Sequence, residues 1–258
     1  MKSLIKNLLV YGLLIIFSAP AQAIVNVEQA IIGQSKEGLQ NKLDILANGA
    51  SGNTEKSTTK ADMLSLWKHD DHTEFLQLQY AYGKSNGKTD TDQAFAHLRH
   101  RTAITPAWAV EAFTQVGRNT FSRLTQRTLL GGGIRWTLFE EDVKSAGYLG
   151  LAAFHEKETL SDKLGTNDPI HSELWRASSY LVLKRKLNEQ VRIYSTTYYQ
   201  PATADPTDYR VLEQASMLVK MGENLDLKVS LDIAFDSKPP QTVQQRDVVY
   251  STGLEFSF

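Results

Sequence analysis

Apolar and polar residues alternate along most of this chain, and the final segment shows the pattern most clearly. There, Val248, Tyr250, Leu254, Phe256 and Phe258 are separated by mostly polar residues. A strand with one apolar and one polar face, ending on an aromatic residue, is typical of the closing strand of a membrane barrel. Because the other segments alternate as well, the sequence predicts an all-β protein, a transmembrane antiparallel up-and-down β-barrel.

Period-two alternation bounded by turn residues marks about twelve spans, each near the 9–11 residues that a tilted membrane strand requires. The predicted strands cover residues 39–48, 58–68, 73–82, 93–102, 108–117, 124–138, 146–155, 172–184, 190–200, 209–221, 225–235 and 247–258. An even number of strands fits an antiparallel barrel with both chain ends on the periplasmic side.

The predicted connections alternate between long and short, as extracellular loops and periplasmic turns do. The long polar connections are residues 49–57, 83–92, 117–123, 156–171, 201–208 and 236–246. Aromatic residues fall at the span ends, where amphipathic rings favour the membrane interfaces. On the periplasmic side these are Trp67, Trp108 and Trp136, and on the extracellular side Tyr82, Trp175, Tyr199, Tyr209, Phe235 and Tyr250.

The amino terminus has the pattern of an export signal. Lys2 and Lys6 precede an apolar run at residues 8–17, and Ala21-Gln22-Ala23 supplies a small-residue cleavage site. We therefore expect a cleaved signal peptide at residues 1–23 and the barrel at 37–258. Residues 24–36 could form a periplasmic lead-in, a partial plug or an extra strand.

Composition excludes further classes of protein and of binding site. The chain has no cysteine, which excludes disulfides, thiolate metal sites and a lipidated cysteine. Removal of the signal leaves 26 basic against 29 acidic residues, a formal charge of −3, so nothing suggests nucleic acid as a partner. No apolar stretch after Ala23 is long enough for a membrane helix. The glycines at 131–133 lack the Lys-Ser/Thr of a phosphate-binding loop and instead favour bends or close approach in a barrel wall.

Several features together carry a family resemblance. They are the A-x-A signal, a first hairpin with Ser51-Gly52-Asn53-Thr54 at its tip, a glycine-rich sixth strand at residues 129–136 and the terminal Phe258. This order resembles the YdiY-type salt-induced outer-membrane proteins, domain of unknown function 481. The resemblance implies an outer-membrane barrel in a Gram-negative bacterium and supplies no catalytic residues. It implies outer-membrane lipid, lipopolysaccharide, periplasmic chaperones and the barrel assembly machinery as partners, with Phe258 as the assembly signal.

The inward face of the predicted strands carries more basic than acidic residues. The basic ones are Lys42, Lys60, Arg99, Arg101, Arg127, Arg135, Arg176, Lys184, Arg192 and Lys228. The acidic ones are Asp44, Asp62, Glu111, Asp226, Asp232 and Glu255. Arg99, Arg101, Arg127 and Arg135 would form a positive stripe beside Glu111. A basic lumen favours negative solutes, so the sequence predicts a narrow passive channel for small anions.

The same residues allow a second interpretation. Buried charges are tolerated when they are paired and hydrogen-bonded, so an ionic network could fill a small barrel and leave a plugged structural or stress-related envelope protein. About twelve strands lies between the filled eight-strand barrel and the open sixteen-strand porin. Conductance would separate the two hypotheses.

An outer-membrane hydrolase is the weakest alternative. His171 beside Ser172 and His155 beside Glu156 are adjacent, but neighbouring strand residues point to opposite faces. The cluster from His69 to His72 has spacing suited to a metal, yet it lies at a predicted turn where polar residues are usual. We therefore assign no catalytic residue, cofactor or metal.

The inward and outward assignment has two irregularities. Glu213 falls on the lipid face of the span 209–221, while Leu64 and Leu66 fall inside. A β-bulge near Glu213 would turn it inward, and a changed register would also alter the roles of Arg210 and Lys220.

Overall fold

The computed structural model describes residues 37–50, 55–141 and 144–258. The expected signal peptide, the segment 24–36 and the Ser51–Thr54 hairpin tip lie outside these ranges.

Twelve antiparallel strands close into one barrel, each paired with its sequence neighbours and β1 paired with β12. They are β1 (Gly38–Ala50), β2 (Lys56–His69), β3 (His72–Ser85), β4 (Lys88–Ala103), β5 (Trp108–Asn119), β6 (Leu124–Glu141), β7 (Ser145–Leu160), β8 (His171–Lys186), β9 (Val191–Pro201), β10 (Tyr209–Lys220), β11 (Leu225–Asp236) and β12 (Arg246–Ser257). A short 3-10 helix, Thr120–Ser122, follows β5. The predicted fold and the number of strands are confirmed.

Two predicted loops are shorter than expected. Residues 83–92 form a tight hairpin in which Asn86 and Gly87 both have positive φ, 49° and 75°, the backbone that a two-residue turn of a twisted hairpin requires. The loop predicted from residue 156 begins only after Leu160. Alternation continues past the predicted strand end, so Glu156 and Glu158 belong to the barrel wall and not to a loop.

The barrel closes at the carboxy terminus. The backbone N–H of Asn41 donates to the carbonyl of Phe258 at 2.9 Å, and the N–H of Phe258 donates to the carbonyl of Asn41 at 3.0 Å. The side chain of Phe258 is 67% exposed on the outer surface. The last residue therefore contributes both to the seam and to the apolar exterior.

The outer face is apolar and has aromatic residues near both ends, which we call periplasmic and extracellular after the orientation predicted from the sequence. Trp108 and Trp136 stack with their rings 5.5 Å apart at the periplasmic end. At the extracellular end, the ring of Tyr209 lies 5.7 Å from that of Tyr199 and 5.6 Å from that of Phe235. These positions suit amphipathic rings at two membrane interfaces. Within the described residues, no helix has the length and apolarity to cross a membrane.

The inner face of β7–β10 is packed with apolar and aromatic side chains rather than lined with water. The buried cluster comprises Ala146, Tyr148, Tyr180, Val182, Tyr194, Tyr198, Leu212 and Leu218. On the other side, Leu64 and Leu66 are buried inside as predicted. Part of the lumen therefore resembles the core of a soluble protein, and side chains fill this side of the barrel.

Two glycines permit this packing. A Cβ on Gly150 would lie 1.9 Å from the Tyr180 ring, and a Cβ on Gly133 would lie 2.3 Å from the Leu151 carbonyl oxygen. Any larger residue would displace the neighbouring strand or ring. Gly133 thus allows the backbones of β6 and β7 to lie close together in the barrel wall, as expected for residues 131–133.

The anticipated bulge at Glu213 is not present. β10 pairs with β9 and β11 without a register shift, so Glu213 stays on the outer face. Ser195 Oγ donates to its carboxylate at 2.7 Å, and Thr197 donates as well. Neighbouring hydroxyls, not a change of register, accommodate the charge. The unbroken register also keeps Arg210 on the inner face.

We expect the replacement of Phe258 by Asp to reduce the yield of folded barrel in membranes, because a charge would replace the outward aromatic at the seam. Phe258→Tyr, which keeps the aromatic ring, is the control. The measurement is the fraction of heat-modifiable protein on unheated gels. Equal fractions for Asp and Tyr would contradict a role for the terminal aromatic.

Candidate functional site

The most buried charges of the lumen surround Glu156 on β7. Its carboxylate, in a residue only 1% exposed, accepts hydrogen bonds from three arginines on different strands. Arg127 Nε donates at 2.7 Å, Arg176 Nε at 3.1 Å and Arg210 Nη1 at 2.9 Å. Charge-assisted bonds of this kind are the strong ones, so one carboxylate joins β6, β7, β8 and β10.

Further carboxylates balance the three arginines. Glu158 lies 3.2 Å from Arg127 Nε and 3.0 Å from Arg210 Nη2. Asp236 accepts from Arg210 at 2.8 Å, and Asp208 lies 2.9 Å from Arg176. We call these seven residues the upper ionic cluster because they lie near the extracellular end. Pairing on this scale is what allows buried charge to persist.

A second cluster surrounds Glu111 on β5. Arg101 Nε donates to its carboxylate at 2.5 Å, Arg99 Nη1 at 3.3 Å and Tyr180 Oη at 2.8 Å. The guanidinium of Arg99 also lies 5.3 Å from the ring centre of Phe113. Ion pairs and cation–π contacts together hold these arginines against the packed side of the lumen.

The predicted positive stripe is therefore not available to solutes. Arg99, Arg101 and Arg127 lie on the inner face, but each is buried and ion-paired. Arg135 lies with its guanidinium 3.7 Å from the ring centre of Tyr148. A paired and buried guanidinium attracts anions less than a solvated one does. The placement of these arginines therefore gives no support to the anion preference predicted from the stripe.

The opposite wall, formed by β11, β12, β1 and β2, carries four carboxylates in register. Asp44 lies directly opposite Asp62 on one side and Glu255 on the other, and Glu255 lies opposite Asp226. We call this row the acidic belt. Like charges directly opposite each other are destabilising, so the belt needs nearby cations.

Three basic residues meet this need in part. Lys42 lies 3.3 Å and Lys228 3.5 Å from Glu255, Lys228 also pairs with Asp44, and Arg192 donates to Asp226 at 2.5 Å. Nearby, Asp232 accepts from the amide of Gln214 at 2.5 Å. The predicted lumen residues Lys228 and Asp232 thus lie on this wall, and Arg192 reaches it from β9, away from the arginines of the stripe.

A cavity of about 90 Å³ lies against the acidic belt. Its charged lining residues are Lys42, Asp44, Lys60, Asp62, Lys228, Asp232 and Glu255. A cavity of about 20 Å³ shares Gln79 with it, and another of about 40 Å³ shares Asn119 and Leu124 with the second. The cavities form a series from the acidic belt towards the extracellular end.

Extracellular connections cover the end of this series. Arg123 donates from Nη1 to the carbonyl of Gln241 at 3.0 Å and to Asp168, and from Nη2 to Thr166 Oγ1 at 3.2 Å. The backbone N–H of Gln241 donates to Asp168 at 3.0 Å. These bonds join the β5–β6, β7–β8 and β11–β12 connections. We call the joined segments the lid and the Arg123–Asp168–Gln241 contact the latch.

The latch is stable at neutral pH. The N–H of Gln241, followed by the guanidinium of Arg123, lowers the pKa of Asp168 below its ordinary value. A carboxylate with a lowered pKa contributes stability above its ordinary value, about 3.9, and loses it as the pH falls through the lowered value. The charged latch therefore persists across the physiological range.

The histidine candidates lie at separate places in the barrel. His155 lies on the outer face beside Trp175, while Glu156 points inside. His171 contacts Thr159 Oγ1 at 3.2 Å rather than Ser172. At the periplasmic turn, His69 and His72 stack at 5.4 Å. Over the described ranges, no set of three or more potential ligands is arranged to hold a metal ion.

Comparison with known proteins identifies the family. The family model described as a protein of unknown function, DUF481, matches residues 44–258. This chain belongs to the DUF481 family. The resemblance seen in the sequence is thereby confirmed, and no curated protein matches the DUF481 chain significantly.

Solved structures share the fold of this DUF481 protein. A NanC porin structure has a TM-score of 0.52 at 9% identity and covers 84% of this chain and 98% of its own. The translocator domain of the autotransporter NalP from Neisseria meningitidis has a TM-score of 0.50 at 12% identity, with 89% and 91% covered. At these identities the similarity concerns the fold alone, that of outer-membrane barrels.

Several residues that organise the lumen of the DUF481 protein are not predicted by the sequence pattern. Glu156 and Glu158 were placed in a loop, although their alternation with His155 and Lys157 continues the β7 pattern. Arg123 and Asp168 carry no sequence signal, because they are 45 residues apart and meet only through the loops.

We expect Glu156→Gln to destabilise the barrel by about 3–5 kcal/mol, since it removes the carboxylate that three buried arginines share and leaves their charge only partly compensated. Urea unfolding in detergent micelles measures the change. Glu173→Gln, which removes an exposed partner of Lys157, is the control and should have little effect. Equal unfolding midpoints for both variants would show that the upper ionic cluster adds no stability.

We expect Arg123→Ala to loosen the lid, because it removes the bonds that join the three connections. Hydrogen exchange should accelerate in residues 161–170 and 237–245. Arg118→Ala is the control, since Arg118 pairs with Asp92 at 2.8 Å on the same rim but outside the lid. If both variants exchange alike, the latch does not hold the lid.

Proposed function

We propose that this DUF481 protein is a narrow, lidded outer-membrane channel for the passive passage of small hydrophilic solutes. The observation that carries the proposal is a series of three cavities, the first lined mainly by charged and polar residues, that runs from the acidic belt to the lid. The route begins at the β11–β12–β1–β2 wall, passes glutamines of β3–β5 and reaches the upper ionic cluster, where Arg127 lines the second cavity and Glu158 and Arg210 line the third.

The charge of this route differs from the expectation drawn from the sequence. The 90 Å³ cavity has four carboxylates and three lysines in its lining, whereas Arg99, Arg101 and Arg127, which suggested an anion channel, are ion-paired outside it. Because the sign of lining charge governs which ions enter a pore, we propose a weak cation preference in place of an anion preference.

The apolar outer face of the barrel also supports a proposal for its location and its partners. The apolar outer face and the likeness to outer-membrane barrels support placement in the outer membrane of a Gram-negative cell. Contact with lipid and lipopolysaccharide, and delivery by periplasmic chaperones and the barrel assembly machinery, are part of the proposal. A passive role, not a hydrolytic one, suits a lumen in which charged residues pair with one another.

A structural envelope barrel without transport is the second candidate. The packed cluster on β7–β10 and the closed lid favour it, since both reduce the space for passage. The two candidates share the fold and differ only in whether the cavity series conducts.

Planar-bilayer recordings of the purified protein decide between them. We expect small conductance steps with a slight cation preference. Ser251→Trp should abolish them, because Ser251 lines the 90 Å³ cavity, whereas the control Thr252→Trp should not, because Thr252 lies on the lipid face one residue away. A silent wild-type protein would refute the channel and leave the structural barrel. Equal currents from both variants would refute the route through this cavity.

A further inference from the structure

We infer that the 90 Å³ cavity binds a small zwitterion, with its ammonium group at Asp44, Asp62 and Gln77 and its carboxylate at Lys60. This inference rests on the proposed function only for the route by which the solute reaches the cavity.

Acceptor atoms without a matching donor indicate where the ammonium group binds. Asp44 Oδ1 and Gln77 Oε1 are buried and have no hydrogen-bond partner. Gln77 is only 5% exposed, and its amide nitrogen already donates to Asp62 at 2.8 Å. Asp62 also accepts from Gln79 at 2.9 Å, but it has no ion pair within the part of the chain that the structure describes.

The geometry of these acceptors fits an ammonium group. Asp44 and Asp62 lie directly opposite each other on β1 and β2, and Gln77, two residues from the position opposite Asp62 on β3, reaches Asp62 with its amide. An ammonium group has three donors and no acceptor, which matches one oxygen from each of the three side chains. It would also relieve the repulsion between the facing carboxylates of Asp44 and Asp62. Lys228 pairs with Asp44 through the other oxygen, Oδ2.

A single cation would leave Lys60 unexplained. Lys60 lines the same cavity, and within the described ranges it has no hydrogen bond or ion pair. It lies two residues from Asp62 on the same face of β2, so their Cα atoms are separated by roughly 6.8 Å. Opposite charges at this spacing suit a small molecule that carries both an ammonium and a carboxylate group.

The size of the cavity limits the ligand. Since about 10–15 Å³ of such volume holds one water, 90 Å³ holds several waters or one small solute. Glycine, the smallest α-amino acid, is therefore the probe. Methylammonium and acetate carry its two charged groups separately.

Titration calorimetry of the folded, detergent-solubilised barrel tests the inference without requiring conductance. We expect saturable binding of glycine, with methylammonium and acetate at least tenfold weaker. Asp62→Asn and Lys60→Gln should each weaken glycine binding at least tenfold. The matched controls are Asp92→Asn and Lys84→Gln, which change the same residue types on the outer face and should bind as the wild type does.

Two results would overturn the inference: no glycine binding, or binding that neither cavity variant weakens. Methylammonium binding as tightly as glycine, with Lys60→Gln unaffected, would also overturn it and indicate a simple cation site. The proposed channel is tested independently of this inference. A barrel that binds glycine but carries no current refutes the channel alone, and one that conducts without binding glycine refutes only this inference.

Discussion

The structure depends on the need of buried charges in a closed barrel to find partners on its own inner face. Glu156 meets this need most fully, because arginines from β6, β8 and β10 converge on its carboxylate. Removing any one partner leaves charge in a dry environment, which costs far more than the loss of an exposed pair. The network therefore restricts which strands face each other and occupies much of the extracellular half of the lumen, beside two small cavities.

The two sides of the lumen differ in how well their charges are compensated. Opposite the clusters of Glu156 and Glu111, the acidic belt has incomplete compensation, and the 90 Å³ cavity lies along it. Asp44 and Asp62 face each other although like charges repel. A fold that needed only stability would have little reason to place them so. The arginine clusters have their charges paired, whereas the charge of the acidic belt is only partly compensated. This contrast is the main argument that the barrel does more than maintain its own structure.

Much of the fold follows from the sequence through one physical rule. Successive side chains of a strand point to opposite faces, so alternation reveals both the strands and the residues that point inside. Arg99, Arg127, Leu64 and Leu66 are all placed correctly by parity, and so is Glu213 on the outer face. Strand ends are less well determined, since the alternation of Glu156 and Glu158 resembles a polar loop when read without their partners.

The sequence by itself determined the class of protein, the twelve strands and the inward set of charges, because these depend on a local period and on the lipid outside. Only the tertiary structure decided which inward charges are neutralised. Whether Arg127 meets Glu156, and whether Arg123 meets Asp168, depends on how strands and loops distant in sequence align across the lumen. Electrostatic attraction acts over a few ångströms in space, and period-two alternation contains no information about distance across a barrel.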